Sequence, residues 1–196
     1  MEVTSSGTAT VTLPTDEQIL ITREFAAPKH LVYKAWTTPE LVKRWWSGNR
    51  GEMTIAEIDL RVGGAWRCVM VTDDGFEAAF HGEYREIVPN ERLVSTEVFE
   101  GFPDAESLNT LTLTETDGRT HLELLVQHEN KEHRDAHIES GMEAGMQDAF
   151  DLLEARVPTM PEAIRAERRQ GFQQRVGIVE IVRFKDCQLI EKRAVR

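Results

Sequence analysis

The sequence predicts an α+β domain, an antiparallel sheet of about seven strands packed on one long C-terminal helix, with two short helices after the first strand. Three observations predict it. Apolar and polar residues alternate with period two from about Glu52 to His128. From about Lys131 to Val157 the apolar spacing changes to three and four residues. Between the first strand candidate and the alternating region, Pro28 and Pro39 each open a short helical pattern.

Each element has a local reason. Residues 1–17 hold seven threonines and serines and no strong apolar period, which predicts a flexible N-terminal arm. Gln18–Phe25 is the first strand, closed by Ala26-Ala27-Pro28, and His30–Thr37 and Pro39–Trp45 are the two helices, ending at Trp45-Trp46. Glu52–Leu60 and Gly64–Val71 are strands separated by Arg61-Val62-Gly63. Asp73-Asp74-Gly75 is a turn, and Ala78–Val88 is stopped by Pro89-Asn90. Arg92–Glu100, Leu108–Glu115 and Thr120–His128 follow, the last two joined through Asp117-Gly118, a type I′ hairpin signal. Six strands with short connections imply antiparallel pairing. Asn130 is the N-cap of a helix over Lys131–Val157, about 40 Å long, and Pro158 ends it. Ile138, Met142, Met146, Ala149, Phe150 and Leu153 form its apolar stripe, which only the sheet is large enough to cover.

Composition narrows the function classes. The chain has 196 residues, 40% hydrophobic and 29% charged, the balance of a globular protein that needs no metal or disulfide to fold. Lysine and arginine number 23 against 34 acidic residues, a net charge of -11, so a phosphate backbone is an unsuitable partner and no nucleic acid is expected. Residues 158–196 hold nine basic and five acidic residues. That leaves fourteen basic against 29 acidic, or -15, for residues 1–157. The longest apolar run is Cys68–Val71, far short of the ~20 residues of a spanning helix, so no membrane insertion is expected. The first residues lack the basic and apolar regions of a signal peptide. Cys68 and Cys187 are too few for a disulfide framework or a zinc site, which fits a reduced, cytoplasmic setting.

Several segments carry a resemblance. Arg23-Glu-Phe-Ala-Ala-Pro28, Ala35-Trp-Thr-Thr-Pro-Glu40 and Trp45-Trp46 are followed by Asp59-Leu-Arg-Val-Gly-Gly-Ala-Trp-Arg67 and Gly82-Glu-Tyr-Arg-Glu-Ile87. Glu91-Arg-Leu-Val94 and Gly141-Met-Glu-Ala-Gly145 complete the set. In this order, over residues 18–157, they resemble the bacterial SRPBCC superfamily. Within it, they resemble proteins related to the activator of the heat-shock-protein-90 ATPase, the AHSA-type subfamily. The resemblance implies the helix-grip, START/Bet v 1-like fold, with a curved sheet gripping the C-terminal helix and a cavity between them. It implies that residues 18–157 form the domain, with 158–196 an extension of uncertain structure. Two places depart from the family's pattern, Ser47-Gly48 where glycine-proline is common and Met146 where tryptophan is common. Both lie near the expected cavity, so the resemblance does not fix ligand preference there.

The fold so implied takes a hydrophobic or amphipathic small molecule, lipid-like or polyketide-like. Ligand-binding candidates are Trp66, Phe80, Phe99, Met142, Met146 and Phe150, with Gly141 and Gly145 giving room on one helix face. The same residues would equally fill a core, and Trp66 is expected to be largely buried. His133 and His137, four residues apart with His128 nearby, have a spacing that could hold a metal, but a solvated helix face accounts for them more simply, and no metal or cofactor is assigned. His81, Arg67, Glu83 and Glu97 lie on neighbouring strands and could support a cofactor-free cyclase or hydrolase in the cavity. No nucleophile elbow, P-loop or dinucleotide fingerprint is present, so no catalytic residue is assigned. A co-chaperone role is the third reading, lacking the separate N-terminal domain that the eukaryotic co-chaperone has. An apolar strand at Val176–Phe184 would permit a homodimer by edge pairing.

Overall fold

The computed structural model describes residues 3–4 and 8–157. In chain order the elements are β1 (Val3–Thr4), β2 (Thr10–Thr12), β3 (Gln18–Phe25), α1 (Lys29–Thr37), α2 (Pro39–Val42) and β4 (Gly51–Ile58). There follow β5 (Ala65–Thr72), β6 (Glu77–Val88), β7 (Arg92–Phe99), β8 (Ser107–Thr116), β9 (Arg119–His128), α3 (Lys131–Glu139) and α4 (Met142–Arg156). The strands form one antiparallel sheet in the order β1-β2-β3-β9-β8-β7-β6-β5-β4. The helix-grip expectation holds: β3 and β9, distant in sequence, pair along their whole length and bring the first strand beside the last. Register shifts between Met53 and Ile55 and between Tyr84 and Glu86 mark bulges, which bend and twist a strand locally.

Two expectations are corrected. The predicted arm is strand at its described end. Thr10–Thr12 pairs with Leu20–Thr22, and Ala9 and Val11 are buried. The threonines that hid it are good strand formers, and only one side of so short a strand needs to be apolar. Among the described residues the sheet thus has nine strands, the seven expected plus two short N-terminal ones.

The long helix is in fact two. Asn130 caps α3 as predicted, its side-chain oxygen accepting the His133 N–H at 2.9 Å. The helix then stops at Ser140, because Gly141 takes φ +78°, a left-handed conformation that glycine adopts without steric cost. The apolar period runs through the break, so periodicity alone could not show it.

One face of the sheet, here the inner face, packs against α4. Phe25 meets Phe150 edge-on at 5.8 Å between ring centroids, and Trp36 meets the same ring at 5.8 Å. Arg23, 4% exposed, donates from Nη1 to Asp151 and from Nη2 to Glu154, at 2.7 and 2.8 Å. Gln147 bonds both the N–H and the carbonyl of Ala9, tying α4 to the chain entering β2. Ile19, Ile21, Leu122, Val126, Leu153 and Val157 fill the core beneath. The expectations for 158–196, including the strand at Val176–Phe184 and the homodimer it would support, lie outside the described residues.

Candidate functional site

Strand register decides which side chains share the inner face. Phe25 and Arg23 define that face through their contacts with α4, and pairing carries it outward: Arg23 to Leu122, Leu122 to Leu113, Leu111 to Leu93. On β7 it therefore bears Leu93, Ser95, Glu97 and Phe99. On β6 and β5 it bears Phe80, Gly82 and Tyr84, then Trp66, Cys68 and Met70.

One row crosses five strands. Trp66 pairs with Gly82, and Ser107 pairs with both Glu97 and His128. The register that sets His81 against Val98 and Tyr84 against Ser95 places Gly82 across from Glu97. Gly82 matters for a close approach. A Cβ there would lie 1.9 Å from the Thr96 carbonyl oxygen and 2.7 Å from Trp66 Nε1, so the indole rests over a residue that must lack a side chain. Trp66 Nε1 is itself buried and has no hydrogen-bond partner.

Aromatic rings border this row. Trp46 stands edge-on to Phe80 at 5.1 Å, and Phe80 lies tilted against Phe99 at 5.1 Å. Trp66 and Trp46 pack on the apolar cluster of Val42, Met53, Ala56 and Cys68. Trp46, Trp66, Phe80, Phe99, Met142 and Met146 are all only half-buried, although every strand residue among them is on the inner face. The sheet is thus incompletely covered here.

A polar group sits in the middle of it. Burial raises the Glu97 carboxyl above the usual carboxylate range, and a hydrogen bond with Asn109 only partly offsets this. Ser107 donates to Asn109 Oδ1 at 3.3 Å. Beyond Ser107, His128 Nε2 lies 3.1 Å from His137 Nδ1, linking β9 to α3, while His128 Nδ1 is buried without a partner. Desolvation first, then the neighbouring His137, His133 and Arg134, lowers His128 to about 4. Burial likewise pushes the Cys68 thiol up to about 12, so it is no nucleophile at neutral pH.

The sequence candidates divide on this frame. Trp66, Phe80 and Phe99 are brought together, and Met142 and Met146 continue the helix stripe that includes Phe150. Trp66 is half-buried rather than largely buried, with its Nε1 set over the bare backbone of Gly82. Phe150 is 3% exposed and belongs to the closed end with Phe25 and Trp36. Gly141 is the helix break, and a Cβ on it would touch nothing within 4 Å. A Cβ on Gly145 would meet the Arg50 guanidine carbon at 3.2 Å, so its missing side chain accommodates Arg50, whose Nη2 also donates to the Gly141 carbonyl. Gly48, at φ +59°, approaches α4 so closely that a Cβ would lie 2.9 Å from Asp148 Cβ.

Of the four acid–base candidates, three face outward. Arg67 holds Glu100 in a two-pronged ion pair at 2.8 and 3.0 Å, and His81 Nδ1 lies 3.3 Å from Glu100. Glu83 pairs with Arg85 on the same outer face. Only Glu97 faces inward. Trp46, Gly82, Ser107, Asn109 and His128 were not singled out as lining residues from the sequence. Strand parity held part of this signal, since an inward Phe99 makes Glu97, two residues earlier, inward as well.

No group of three or more histidine, cysteine or acidic side chains suited to a metal occurs among the described residues. Nor is any described helix long and apolar enough to cross a membrane. Two open depressions elsewhere, about 640 and 410 Å³, border Lys43, Arg44 and Arg156 in one case and Arg119, His121 and Glu154 in the other. Neither includes a sequence candidate.

Comparison with known proteins agrees with the fold. The family described as activator of Hsp90 ATPase homolog 1-like protein matches residues 26–157. A crystal structure from Rhodobacter sphaeroides is 25% identical with a TM-score of 0.71, covering 81% of this chain and 99% of its own. One from Mycobacterium smegmatis is 25% identical, TM-score 0.68, covering 79% and 96%. One from Chromobacterium violaceum is 28% identical, TM-score 0.62, covering 70% and 95%. Among curated proteins no relative matches.

Proposed function

Since the chain belongs to the activator of Hsp90 ATPase homolog 1-like family, whose fold is a ligand-binding one in general, we propose that its half-covered inner face binds a hydrophobic or amphipathic small molecule. The observation that carries this is the set of half-buried aromatic side chains, Trp46, Trp66, Phe80 and Phe99, beside the inward, half-buried Glu97 and Asn109 and the buried Ser107. Apolar rings left partly exposed on the inner side of a sheet, next to a few converging polar groups, match the general composition of small-molecule sites. The ligand's apolar body would lie on the rings and its polar end on Glu97. Proton transfer on a bound molecule is a second reading, favoured by one observation only, the inward carboxyl with its raised pKa.

The test compares native with denaturing mass spectra of untagged protein purified without detergent, together with uptake of the neutral dye N-phenyl-1-naphthylamine. An extra mass lost on denaturation, or saturable dye fluorescence, is the expected result. A bare protein mass together with no dye uptake would rule the reading out.

A further inference from the structure

We propose that the ligand is a lipophilic cation, an amine or quaternary ammonium on an apolar body, and that Glu97 is its counter-ion. This rests on the small-molecule reading above and names the chemical class of the occupant.

The argument begins with what surrounds Glu97. It lies on the inner face of a central strand, opposite the bare backbone of Gly82 and beside Ser107. Among the described residues it has no cationic partner, and Asn109 is its hydrogen-bond partner. A half-buried, inward carboxyl is partly desolvated and costs free energy if ionised without a partner, and an unpaired acid gives the fold nothing that glutamine would not. The other charged groups nearby are already engaged. Arg23, the one arginine or lysine on the inner face of the described strands, is held by Asp151 and Glu154. Arg134 pairs with Asp135, and Arg50 reaches the Gly141 carbonyl. His128 and His137 are held neutral by burial, and His133 completes the polar groups of α3 on that side. Nothing on β5, β6, β8 or α4 supplies the missing positive charge.

The neighbouring rings suit the same occupant. Trp46, Phe80 and Phe99 are half-buried and in ring-to-ring contact at different tilts, 69° between the first two and 35° between the next. Ring faces are the negative side of the aromatic quadrupole, so they attract a cation and repel an anion. The long-range field has the same sign, because residues 1–157 carry -15. A carboxylate ligand would meet both the rings and Glu97 unfavourably. A neutral alcohol would gain only the apolar contacts and a hydrogen bond.

The experiment titrates the full chain with three ligands sharing one tail, decyltrimethylammonium, decan-1-ol and decanoate, below their micelle concentrations, against N-phenyl-1-naphthylamine. The cation should displace the dye on the order of tenfold more tightly than the alcohol, with decanoate weakest, which is about one logarithmic unit of affinity. Because burial favours the protonated acid and a bound cation favours the carboxylate, the preference for the cation should grow as pH rises. In Glu97→Gln the ratio of cation to alcohol affinity should fall to within about threefold. An alcohol as tight as the cation, a tighter decanoate, or an unchanged ratio in Glu97→Gln would overturn the proposal while leaving the small-molecule reading intact. Failure of the dye itself to bind, with a bare protein mass, would overturn both.

Discussion

The two ends of the inner face are built from the same kinds of residue and finished differently. At the α4–β3 end, Phe25, Phe150, Trp36 and Trp45 form a chain of ring contacts, and Phe25, Trp45 and Phe150 are almost fully buried. The Trp45 indole donates to the Ala35 carbonyl, and the buried guanidinium is matched by two acids, with only Arg23 Nε unpaired. At the β5–β7 end, Trp46, Trp66, Phe80 and Phe99 are half-covered, an indole N–H lacks a partner, and a carboxyl lacks a cation. Close packing and paired polar groups are what a stable core requires. The second end forgoes both, and the adjacent Trp45 and Trp46 divide between the two regions. The closed end is the sealed core, and the open end is where the proposed ligand would sit.

Substitutions should separate these roles. Phe150→Ala removes a ring that is 3% exposed and should cost about 3–5 kcal/mol by denaturant unfolding. Met146→Ala, on the same stripe but half-buried, should cost markedly less. Equal losses would mean the open end is as tightly packed as the closed one.

Acid offers the next largest effect. His128 titrates near 4 in the fold against about 6.5 unfolded, so the unfolded chain binds the extra proton between those values. Its contribution is complete above about pH 6.5 and is lost as pH falls toward 4, by up to about 3 kcal/mol. His128→Gln should flatten that part of the stability profile, and an unchanged profile would place the acid sensitivity elsewhere.

The smallest effect concerns Glu97. Its folded pKa is raised, so the native state holds the proton more tightly, and stability falls as pH rises past the unfolded carboxylate range. Glu97→Gln should therefore raise the melting temperature at pH 8 and leave it unchanged below the carboxylate range. A loss of stability at pH 8 would show that the carboxylate already has a partner.

Much of this was legible in advance. Alternation located the seven main strands, and Asn130, Pro39 and Asp117-Gly118 marked a cap, a helix start and a turn that the structure keeps. Parity along β5 and β6 places Trp66 and Phe80 inward and Arg67 and His81 outward, a signal left unused where Arg67 and His81 are grouped with the cavity candidates. The break at Gly141 was hidden because an apolar stripe can continue across a left-handed residue. The threonine-rich strand β2 was hidden because its stability comes from pairing with β3 and from Gln147, 138 residues away from Ala9.

The sequence by itself determined the seven main strands, the two short helices, their order and the family resemblance, because period, caps and turns are local properties of neighbouring residues. Tertiary structure alone decided that Glu97 stands opposite a glycine with no ion-pair partner among the described residues, that Arg23 finds two acids, and that one tryptophan of the adjacent pair is sealed while the other is not. Those outcomes depend on strand register and on where α4 crosses the sheet. Both are set by pairings between residues far apart in the chain, which no local pattern encodes.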